Sequence, residues 1–162
     1  MWRSGKSNAG GFTVRNAVAE DQVAITTLVR SEHLNPLDLD WRRFVVATDG
    51  TGLLGAVQLR MHSDESRELG SLVVRRDSRG RGVAARLIAA LLARAKTRVL
   101  MITGAAFARH YERWGFRRIA PASTPLGVRF NYYFGQIVGS LISLLRGRRP
   151  KELAILERNP AA

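Results

Sequence analysis

Hydrophobic and polar residues alternate near the start of the chain in a pattern that predicts a strand followed by a helix. The segment FTVRNA, residues 12–17, has the two-residue alternation of a β-strand. Glu20 and Asp21 follow it, and acidic residues are common in the first turn of a helix. The apolar residues of the predicted helix recur at helical spacing: Val23, Ile25, Leu28 and Val29.

Two apolar runs around an Asp-Gly turn predict a β-hairpin. These runs, residues 43–48 and 53–62, flank the sequence DGTG, and a short loop of this kind joins antiparallel strands. A further strand at 68–74 follows the polar loop SDESR. A polar connection at 31–41, which contains a proline, separates the hairpin from the first helix.

The middle of the chain has the pattern of a strand–helix–strand–helix unit. A helix from about residue 83 to Lys96 precedes a buried strand at 98–103 and a second helix at 105–115. A right-handed crossover would make the strands 68–74 and 98–103 parallel. The order predicts an α/β fold with a mixed, mostly antiparallel central sheet flanked by helices. One stripe of the first helix is apolar: Val83, Leu87, Ile88, Leu91, Leu92 and Ala95.

A long apolar segment, residues 126–146, predicts an extra helix near the end of the chain. Gly135 and Gly139 form a G-x-x-x-G pattern in it, which permits close helix approach. The basic sequence RGRRP follows, and ELAILER, residues 152–158, predicts a closing strand. The stripe of this helix comprises Leu126, Phe130, Phe134, Ile137, Leu141 and Leu145.

Three roles for this extra helix stay open. Its apolar stripe could pack on its own sheet or on a second subunit, which would make a homodimer. It could line a substrate site. It could also lie on an anionic membrane, with a peripheral contact through residues 126–149. Arg129, Asn131 and Gln136 interrupt the apolar run, which is too short to span a bilayer.

Composition limits the classes of protein to which the chain can belong. Its 162 residues suffice for one ordinary domain, so we expect a flexible tail at 1–10 and a single domain at 11–162. The sequence has no cysteine, which excludes disulfides, thiolate metal ligands and a cysteine-borne covalent intermediate, and we expect no metal. The first residues lack an apolar export signal, which predicts a cytoplasmic protein.

The chain is strongly basic, with 26 Lys and Arg residues against 13 Asp and Glu residues and a net charge of +13. This excess favours anionic partners: nucleic acid, an acidic membrane or a phosphorylated cofactor. An arginine-rich composition alone would also produce it. The arginines are scattered and are not interleaved with exposed aromatic residues, so we expect no nucleic-acid partner.

The segment SRGRGVAARL, residues 78–87, places glycine and arginine directly before a helix. The first N–H groups of a helix have no partner within it, and the helix dipole adds partial positive charge there. Gly80 and Gly82 would let a ligand approach the backbone. The segment is either a binding site for a pyrophosphate or an ordinary surface turn. Five arginines surround it: Arg75, Arg76, Arg79, Arg81 and Arg86.

Two motifs in the chain resemble those of a known superfamily. Arg79, Gly82 and Ala84 match a phosphate motif, R/Q-x-x-G-x-G/A, and residues 111–116 match the element Y-x-x-x-G-F. Together they resemble the GNAT acetyltransferase superfamily, whose members bind acetyl-CoA. The resemblance covers residues 12–120 and is specific as a pair of motifs.

The resemblance implies a site for acetyl-CoA as the acyl donor. In GNAT proteins the pantetheine arm lies along the strand before the phosphate motif, and an N–H near Val74 would polarise the thioester carbonyl. Backbone N–H groups would hold the pyrophosphate, and a nearby arginine would hold the adenosine 3′-phosphate. The implied binding residues are Leu72, Val73, Val74, Arg79, Gly80, Arg81, Gly82, Val83 and Ala84.

Tyr111 is the candidate proton donor. It matches the tyrosine of the family, which would protonate the departing thiolate. The alternative is a core tyrosine packed with Phe107 and Trp114. We expect His110 to be a packing or surface residue, because adjacent residues of a helix face different directions. The chain departs from the family at Gly104, where an asparagine is often found.

Glu68 is the candidate general base, since some GNAT enzymes carry a catalytic glutamate on this strand. Two-residue alternation predicts that it shares a face with Leu72 and Val74. The alternative is a solvated carboxylate at a strand end, paired with an arginine. His62 and Glu65 are weaker candidates for the base, and a chain of water molecules is another.

The acceptor is expected on the side of residues 31–43. Asp38 or Asp40 could receive an ammonium group there, and Arg42 or Arg43 a carboxylate. The same residues are equally consistent with a plain polar loop.

The sequence predicts an acetyl-CoA-dependent N-acetyltransferase that acts on an amine of a small-molecule or amino-acid-like acceptor. With no cysteine to carry the acyl group, transfer would be direct within a ternary complex. O-acetylation and transfer to a protein amine stay open. The alternatives are a catalytically silent CoA-binding domain and a basic nucleic-acid-binding module.

Overall fold

The computed structural model describes residues 11–145, 147, 149–150 and 152–159, so the predicted tail at 1–10 lies outside it. The three α-helices among these residues are α1 (Gln22–Ser31), α2 (Val83–Arg94) and α3 (Leu126–Leu145). The strands are β1 (Thr13–Asn16), β2 (Phe44–Asp49), β3 (Gly52–Met61), β4 (Arg67–Val74), β5 (Val99–Gly104), β6 (Arg117–Ile119) and β7 (Leu153–Arg158).

The strands form a mixed sheet in the order β1-β2-β3-β4-β5-β7-β6. β1 and β2, β2 and β3, β5 and β7, and β6 and β7 pair in antiparallel fashion. β4 pairs with β5 in parallel, with Arg67–Leu69 beside Val99–Met101. The predicted mixed, mostly antiparallel sheet flanked by helices is confirmed.

The described residues divide into two compact units. The first contains the described residues up to Leu59 together with Gly70–Arg94, and the second contains Arg60–Leu69 and the described residues from Ala95 onward. That residues 11–162 form a single domain stays a prediction.

The core of the first unit joins α1 to β2. Ile25 and Val29 of α1 are fully buried beside Phe44 and Val46. The predicted stripe is wrong at Val23, which is 76% exposed. At 3.6 residues per turn, Val23 points to the opposite side of the helix from Ile25.

α2 packs tightly in the same unit, and the five residues of the predicted stripe that lie in it are buried, as is Ala95 directly after its end. A glycine on β3 makes the close approach possible. A Cβ at Gly55 would stand 2.8 Å from the carbonyl oxygen of Val73 and 3.1 Å from side-chain atoms of Leu87 and Val83. No larger residue fits there without a shift of the backbone.

The second unit is built on β5, β7 and β6, with Leu100, Val128 and Ile155 in its core. The closing strand is confirmed as β7, whereas the three-residue β6 was not predicted. The predicted helix at 105–115 is a 3₁₀ helix, Ala105–Trp114, which ends at Gly115 with φ of 79°. Glycine adopts this left-handed conformation without steric cost.

α3 forms at the predicted position, but its predicted apolar stripe is exposed to solvent. The exposed fractions are 73% for Leu126, 68% for Ile137 and 80% for Leu145, and Phe130, Phe134 and Leu141 are exposed as well. This stripe therefore does not pack on the sheet of its own chain. Among the described residues, no helix is both long and apolar enough to cross a membrane.

Candidate active site

The loop before α2 leaves its backbone open at two glycines of the first unit. Gly80 has φ of 78° and Gly82 has φ of 77°, a conformation that other residues rarely adopt. No atom of the described residues lies within 4 Å of the Cβ position at either glycine. A ligand can therefore approach this backbone without meeting a side chain.

The first turn of α2 has backbone donors without an acceptor in the helix. The N–H of Arg86 donates to the carbonyl of Gly82 at 3.1 Å, which is the first hydrogen bond of the helix. The N–H groups of Val83, Ala84 and Ala85 precede it and have no such acceptor. α2 is 12 residues long, and its dipole adds partial positive charge at this end. The arrangement suits a phosphate group.

The side chain of Arg79 holds the loop in place. Its Nε donates to the carbonyl oxygen of Val74 at 3.1 Å, and its guanidinium lies 2.8 Å from the carboxylate of Glu32. Arg76 pairs with the same carboxylate at 3.0 Å. Hydrogen bonds from Arg76 and then Arg79 hold the pKa of Glu32 below its ordinary value. Arg79 therefore shapes the phosphate loop through protein contacts.

Two more arginines near the loop also have protein partners. Arg75 Nε lies 2.6 Å from the carboxylate of Asp77. Arg86 donates to the carbonyl of Phe12 at 3.2 Å, and its guanidinium lies 4.5 Å from the centre of that ring. Both guanidinium groups are therefore held by protein groups of the first unit.

The last residues of β4 do not continue a regular two-residue alternation. Ser71 has φ of 49°, in the left-handed region, and its hydroxyl accepts a hydrogen bond from Gln58 Nε2 at 3.0 Å. Beyond this irregularity Val73 is buried, and Leu72 and Val74 are half-buried. The predicted alternation from Glu68 through Val74 is therefore interrupted at Ser71.

Tyr111 of the second unit is half-buried in an aromatic cluster. Its ring centre lies 5.9 Å from that of Trp114 and 6.3 Å from that of Phe116, whereas Phe107 is 62% exposed. Burial raises the pKa of Tyr111, and a hydrogen bond with the side chain of Thr103 partly offsets this rise. The hydroxyl therefore keeps its proton at neutral pH.

Glu68 lies buried in a network of polar side chains and is only 5% exposed. One carboxylate oxygen, Oε2, lies 2.6 Å from His62 Nε2 and accepts from Asn131 Nδ2 at 3.3 Å. The other, Oε1, lies 3.6 Å from Arg60 Nη1. The solvated carboxylate that the sequence left as an alternative is therefore wrong, although an arginine does pair with it.

Three elements of the second unit meet at this carboxylate. His62 follows directly after β3, Glu68 lies on β4 and Asn131 lies on α3. α3 fits closely here, since a Cβ at Gly127 would stand 2.9 Å from His62 Nδ1. Asn131 was expected only to interrupt an apolar run, and its contact with Glu68 was not predicted.

The remaining candidates lie apart from these networks. His110 is exposed with its Nε2 2.7 Å from Arg113, as expected of a surface residue. Glu65 is exposed in the turn after β3, with φ of 62°. Gly104 lies against the ring of Phe107, which a Cβ would approach to 3.3 Å.

The carboxylates of the connection before β2 are paired within their own segment. Asp38 forms an ion pair with Arg43, and Asp40 forms one with Arg42 at 3.4 Å. Asp40 also accepts the backbone N–H of Arg42 at 3.0 Å. These pairs neutralise the charges that were candidates for holding an acceptor.

A cavity of about 500 Å³ lies in the second unit beside the start of β4. Asp64, Glu65, Arg67 and Arg98 contribute its charged lining. Neither Tyr111 nor Glu68 belongs to that lining, so we assign no chemistry to this cavity.

Comparison with known protein families gives a match to the acetyltransferase (GNAT) domain over residues 40–118. This range contains both the phosphate motif and the Y-x-x-x-G-F element. No curated protein sequence matches the chain.

Solved structures share the fold. N-acetylglutamate synthase from Neisseria gonorrhoeae, complexed with coenzyme A and L-arginine, superposes with a TM-score of 0.70 at 18% identity over 93% of this chain. The match covers 34% of that protein, so the chain spans about a third of its length. Rv2747 from Mycobacterium tuberculosis, in complex with CoA and NLQ, has a TM-score of 0.68 at 20% identity, with 92% of this chain and 99% of that one covered.

A third structure, Ard1 from Thermoplasma volcanium, has a TM-score of 0.63 at 14% identity and covers 94% of this chain and 99% of its own. At these identities the likenesses concern the fold, and the match over residues 40–118 concerns the family. The family match and the shared fold agree with the two motifs. The chain therefore contains a domain of the GNAT acetyltransferase superfamily, matched over residues 40–118.

Proposed function

We propose that the chain is an acetyl-CoA-dependent N-acetyltransferase that acts on an amine of a small-molecule or amino-acid-like acceptor. The observation that carries the proposal is the open backbone at Gly80 and Gly82, which leads into first-turn N–H groups that have no acceptor within α2. Structural relatives that contain coenzyme A support the same donor here.

The backbone of the first unit would bind the acyl donor. The N–H groups from Gly80 to Ala84 would donate to the pyrophosphate, whose charge is also attracted by the helix dipole. We assign the pantetheine arm to Leu72, Val73 and Val74, with an N–H near Val74 polarising the thioester carbonyl. Arg79 would support the site through its bonds to Val74 and Glu32.

Tyr111 would protonate the leaving group. As the acceptor nitrogen forms its bond to the acetyl carbon, the carbon–sulfur bond breaks and the sulfur leaves with the electron pair. The Tyr111 hydroxyl then gives its proton to this thiolate. Tyr111 is protonated at neutral pH, as a donor must be at the start of the reaction, because burial raises its pKa above the ordinary 10.0.

Glu68 would take the proton that the acceptor has to lose. An alkyl amine is mostly ammonium at neutral pH and becomes a nucleophile only as the free base. The Glu68 carboxylate would accept this proton directly or through a water molecule. With a proton on its Nε2, His62 donates to Glu68 and fixes the direction of the carboxylate.

Transfer would be direct within a ternary complex, because the chain has no cysteine to carry an acyl group. Positioning of amine and thioester then supplies much of the rate. An amino-acid-like acceptor is supported by a related structure, N-acetylglutamate synthase from Neisseria gonorrhoeae complexed with coenzyme A and N-acetyl-glutamate.

The test is a panel of amino acids, other small amines and amine-bearing peptides incubated with acetyl-CoA and the protein. Release of free thiol would be followed, and mass spectrometry would identify the acetylated product. We expect turnover with at least one small amine. CoA binding without turnover on any acceptor would favour a silent CoA-binding domain. Binding of oligonucleotide but not of CoA would overturn the proposal.

A further inference from the structure

α3 presents a continuous apolar face to solvent. At 3.6 residues per turn, the exposed apolar residues fall within an arc of about 140°. The helix has 20 residues, which corresponds to a length of about 30 Å. The outer face of α3 consists of Leu126, Phe130, Tyr133, Phe134, Ile137, Val138, Leu141, Leu144 and Leu145.

The opposite side of α3 is already occupied within the second unit. Val128 is buried in a cluster with Leu100 and Ile155. Asn131 bonds to Glu68, and a Cβ at Gly135 would meet the side chain of Leu153 at 3.4 Å. One side of α3 therefore packs within the second unit, whereas its outer face is exposed to solvent.

The sequence around α3 is basic and has no acidic residue. Between Glu112 and Glu152 there is no Asp or Glu, and the helix is followed directly by RGRRPK, residues 146–151. The basic residues of this stretch are Arg113, Arg117, Arg118, Arg129, Arg146, Arg148, Arg149 and Lys151. Arg117 of this set pairs with Glu157, and the sequence after the helix adds four further basic residues. A partner that covers the outer face therefore meets an excess of positive charge.

We propose that the outer face of α3 docks on an anionic lipid membrane. The helix lies in the interface, with its aromatic and leucine side chains among the acyl chains, and the basic sequence that follows it favours a surface of lipid phosphates. Charge favours the membrane over a second copy of the chain. Two copies, each with a net charge of +13, would bring two basic stretches together, whereas an anionic membrane supplies the opposite charge.

Flotation with lipid vesicles tests the proposal on the full chain. The protein is mixed with vesicles of phosphatidylcholine alone, or of phosphatidylcholine with phosphatidylglycerol. We expect at least tenfold tighter binding to the anionic vesicles, since each basic residue near the surface contributes about fivefold. We also expect binding to fall steeply in about 1 M salt, where the Debye length is about 3 Å.

Variants separate the apolar contribution from the charge. F134S with I137S should weaken vesicle binding by about tenfold or more through loss of buried apolar area. R148E with R149E should abolish the preference for anionic lipid. The matched controls are V23S with L37S, at apolar residues 76% and 67% exposed in the first unit, and R30E for charge. We expect the controls to bind like wild type, and circular dichroism checks that each variant folds.

Three outcomes would overturn the proposal: no binding to either vesicle, equal binding to neutral and anionic vesicles, or loss of binding in the controls to the same extent as in the α3 variants. Sedimentation equilibrium is the companion measurement. If the protein does not bind vesicles but self-associates, and F134S with I137S removes this self-association, the outer face of α3 binds a second copy of the chain. None of these readouts depends on acetyltransferase activity.

Discussion

His62 Nε2 lies 2.6 Å from Glu68 Oε2, and the two side chains are only 10% and 7% exposed. A glutamate that points from the start of a strand into water forms salt bridges that contribute little to stability. Here the carboxylate is held by protein groups on both oxygens, with Asn131 and Arg60 beside it. Its direction is fixed, which general base catalysis requires.

The first prediction concerns Glu68→Gln, which keeps the shape of the side chain and removes its basicity. We expect kcat for amine acetylation to fall by about 10²-fold, the usual contribution of a general base. The dissociation constant for CoA, measured by calorimetry, should stay within about twofold, because Glu68 makes no contact in the proposed phosphate site.

Glu157 offers a matched control in the same unit. It is also buried, at 7% exposed, and it pairs with Arg98 and Arg117 at 2.6 and 2.7 Å. We expect Glu157→Gln to lower the melting temperature and leave kcat unchanged in the folded fraction. A similar loss of kcat in both variants would mean that Glu68 acts through stability and not as a base.

Tyr111→Phe should lower kcat by about 10²-fold and leave CoA affinity unchanged. Burial raises the pKa of Tyr111 above its ordinary 10.0, and the active form is protonated. Activity limited by this proton is therefore present below pH 10 and falls as the pH rises through the higher value. The control is Tyr132→Phe, which removes a hydroxyl bonded to the Leu153 carbonyl. If Tyr111→Phe turns over like wild type, another group protonates the thiolate.

Substitutions at Gly82 test the proposed pyrophosphate-binding site. Gly82→Ala adds only the backbone strain of a Cβ at φ of 77°, about 1 kcal/mol. Gly82→Glu adds the same strain together with a negative charge beside the pyrophosphate. We expect both variants to lose similar stability to urea, and the Glu variant to lose at least tenfold more CoA affinity in titration calorimetry. Equal affinities would place the pyrophosphate elsewhere.

The helices show what apolar spacing can and cannot predict. On α2 the predicted stripe is buried throughout. On α3 the same kind of pattern marks the exposed side, because the inward side carries small and polar residues such as Gly135 and Asn131. Spacing identifies a face, but which face turns inward depends on contacts with distant strands. The three-residue β6 was missed for the same reason, since its partner β7 lies far along the chain.

The site was predictable where it depends on local sequence. The glycines before α2 and the motif at 111–116 were found because their geometry is set within a few residues. Arg60 was not singled out, although Gln58, Arg60 and His62 place a polar residue at every second position of an apolar strand. That alternation was the available signal for a polar face on β3. The contact of Asn131 with Glu68 spans 63 positions and has no local signal.

An ion pair in the first unit gives a prediction about pH. Arg15 makes two hydrogen bonds to the carboxylate of Asp21, at 2.6 and 2.9 Å, and these hold the pKa of Asp21 below its ordinary 3.8. A lowered pKa stabilises the fold above pH 3.8, and this contribution is lost as the pH falls through the lower value. Arg15→Gln should therefore cost about 0.5–1 kcal/mol at neutral pH, and nothing once Asp21 is protonated.

Urea unfolding of wild type and Arg15→Gln at several pH values measures this difference. The control is Arg42→Gln, whose partner Asp40 lies 3.4 Å away and whose own side chain is 70% exposed. We expect no measurable change for it at any pH. A difference for Arg15→Gln that persists unchanged in acid would show that Arg15 acts through packing of its alkyl chain.

Gly55 and Gly50 provide a direct test of the packing of α2. A Cβ at Gly55 would stand 2.8 Å from the carbonyl oxygen of Val73, a backbone atom that cannot rotate away, and 3.1 Å from Leu87 and Val83. Gly55→Ala should therefore lower the free energy of unfolding by about 1–3 kcal/mol. Gly50, in the turn between β2 and β3, has no atom within 4 Å of the Cβ position and no positive φ. Gly50→Ala should be neutral or slightly stabilising, because alanine has less freedom to lose on folding. Equal urea midpoints for the two variants would show that α2 does not approach β3 this closely.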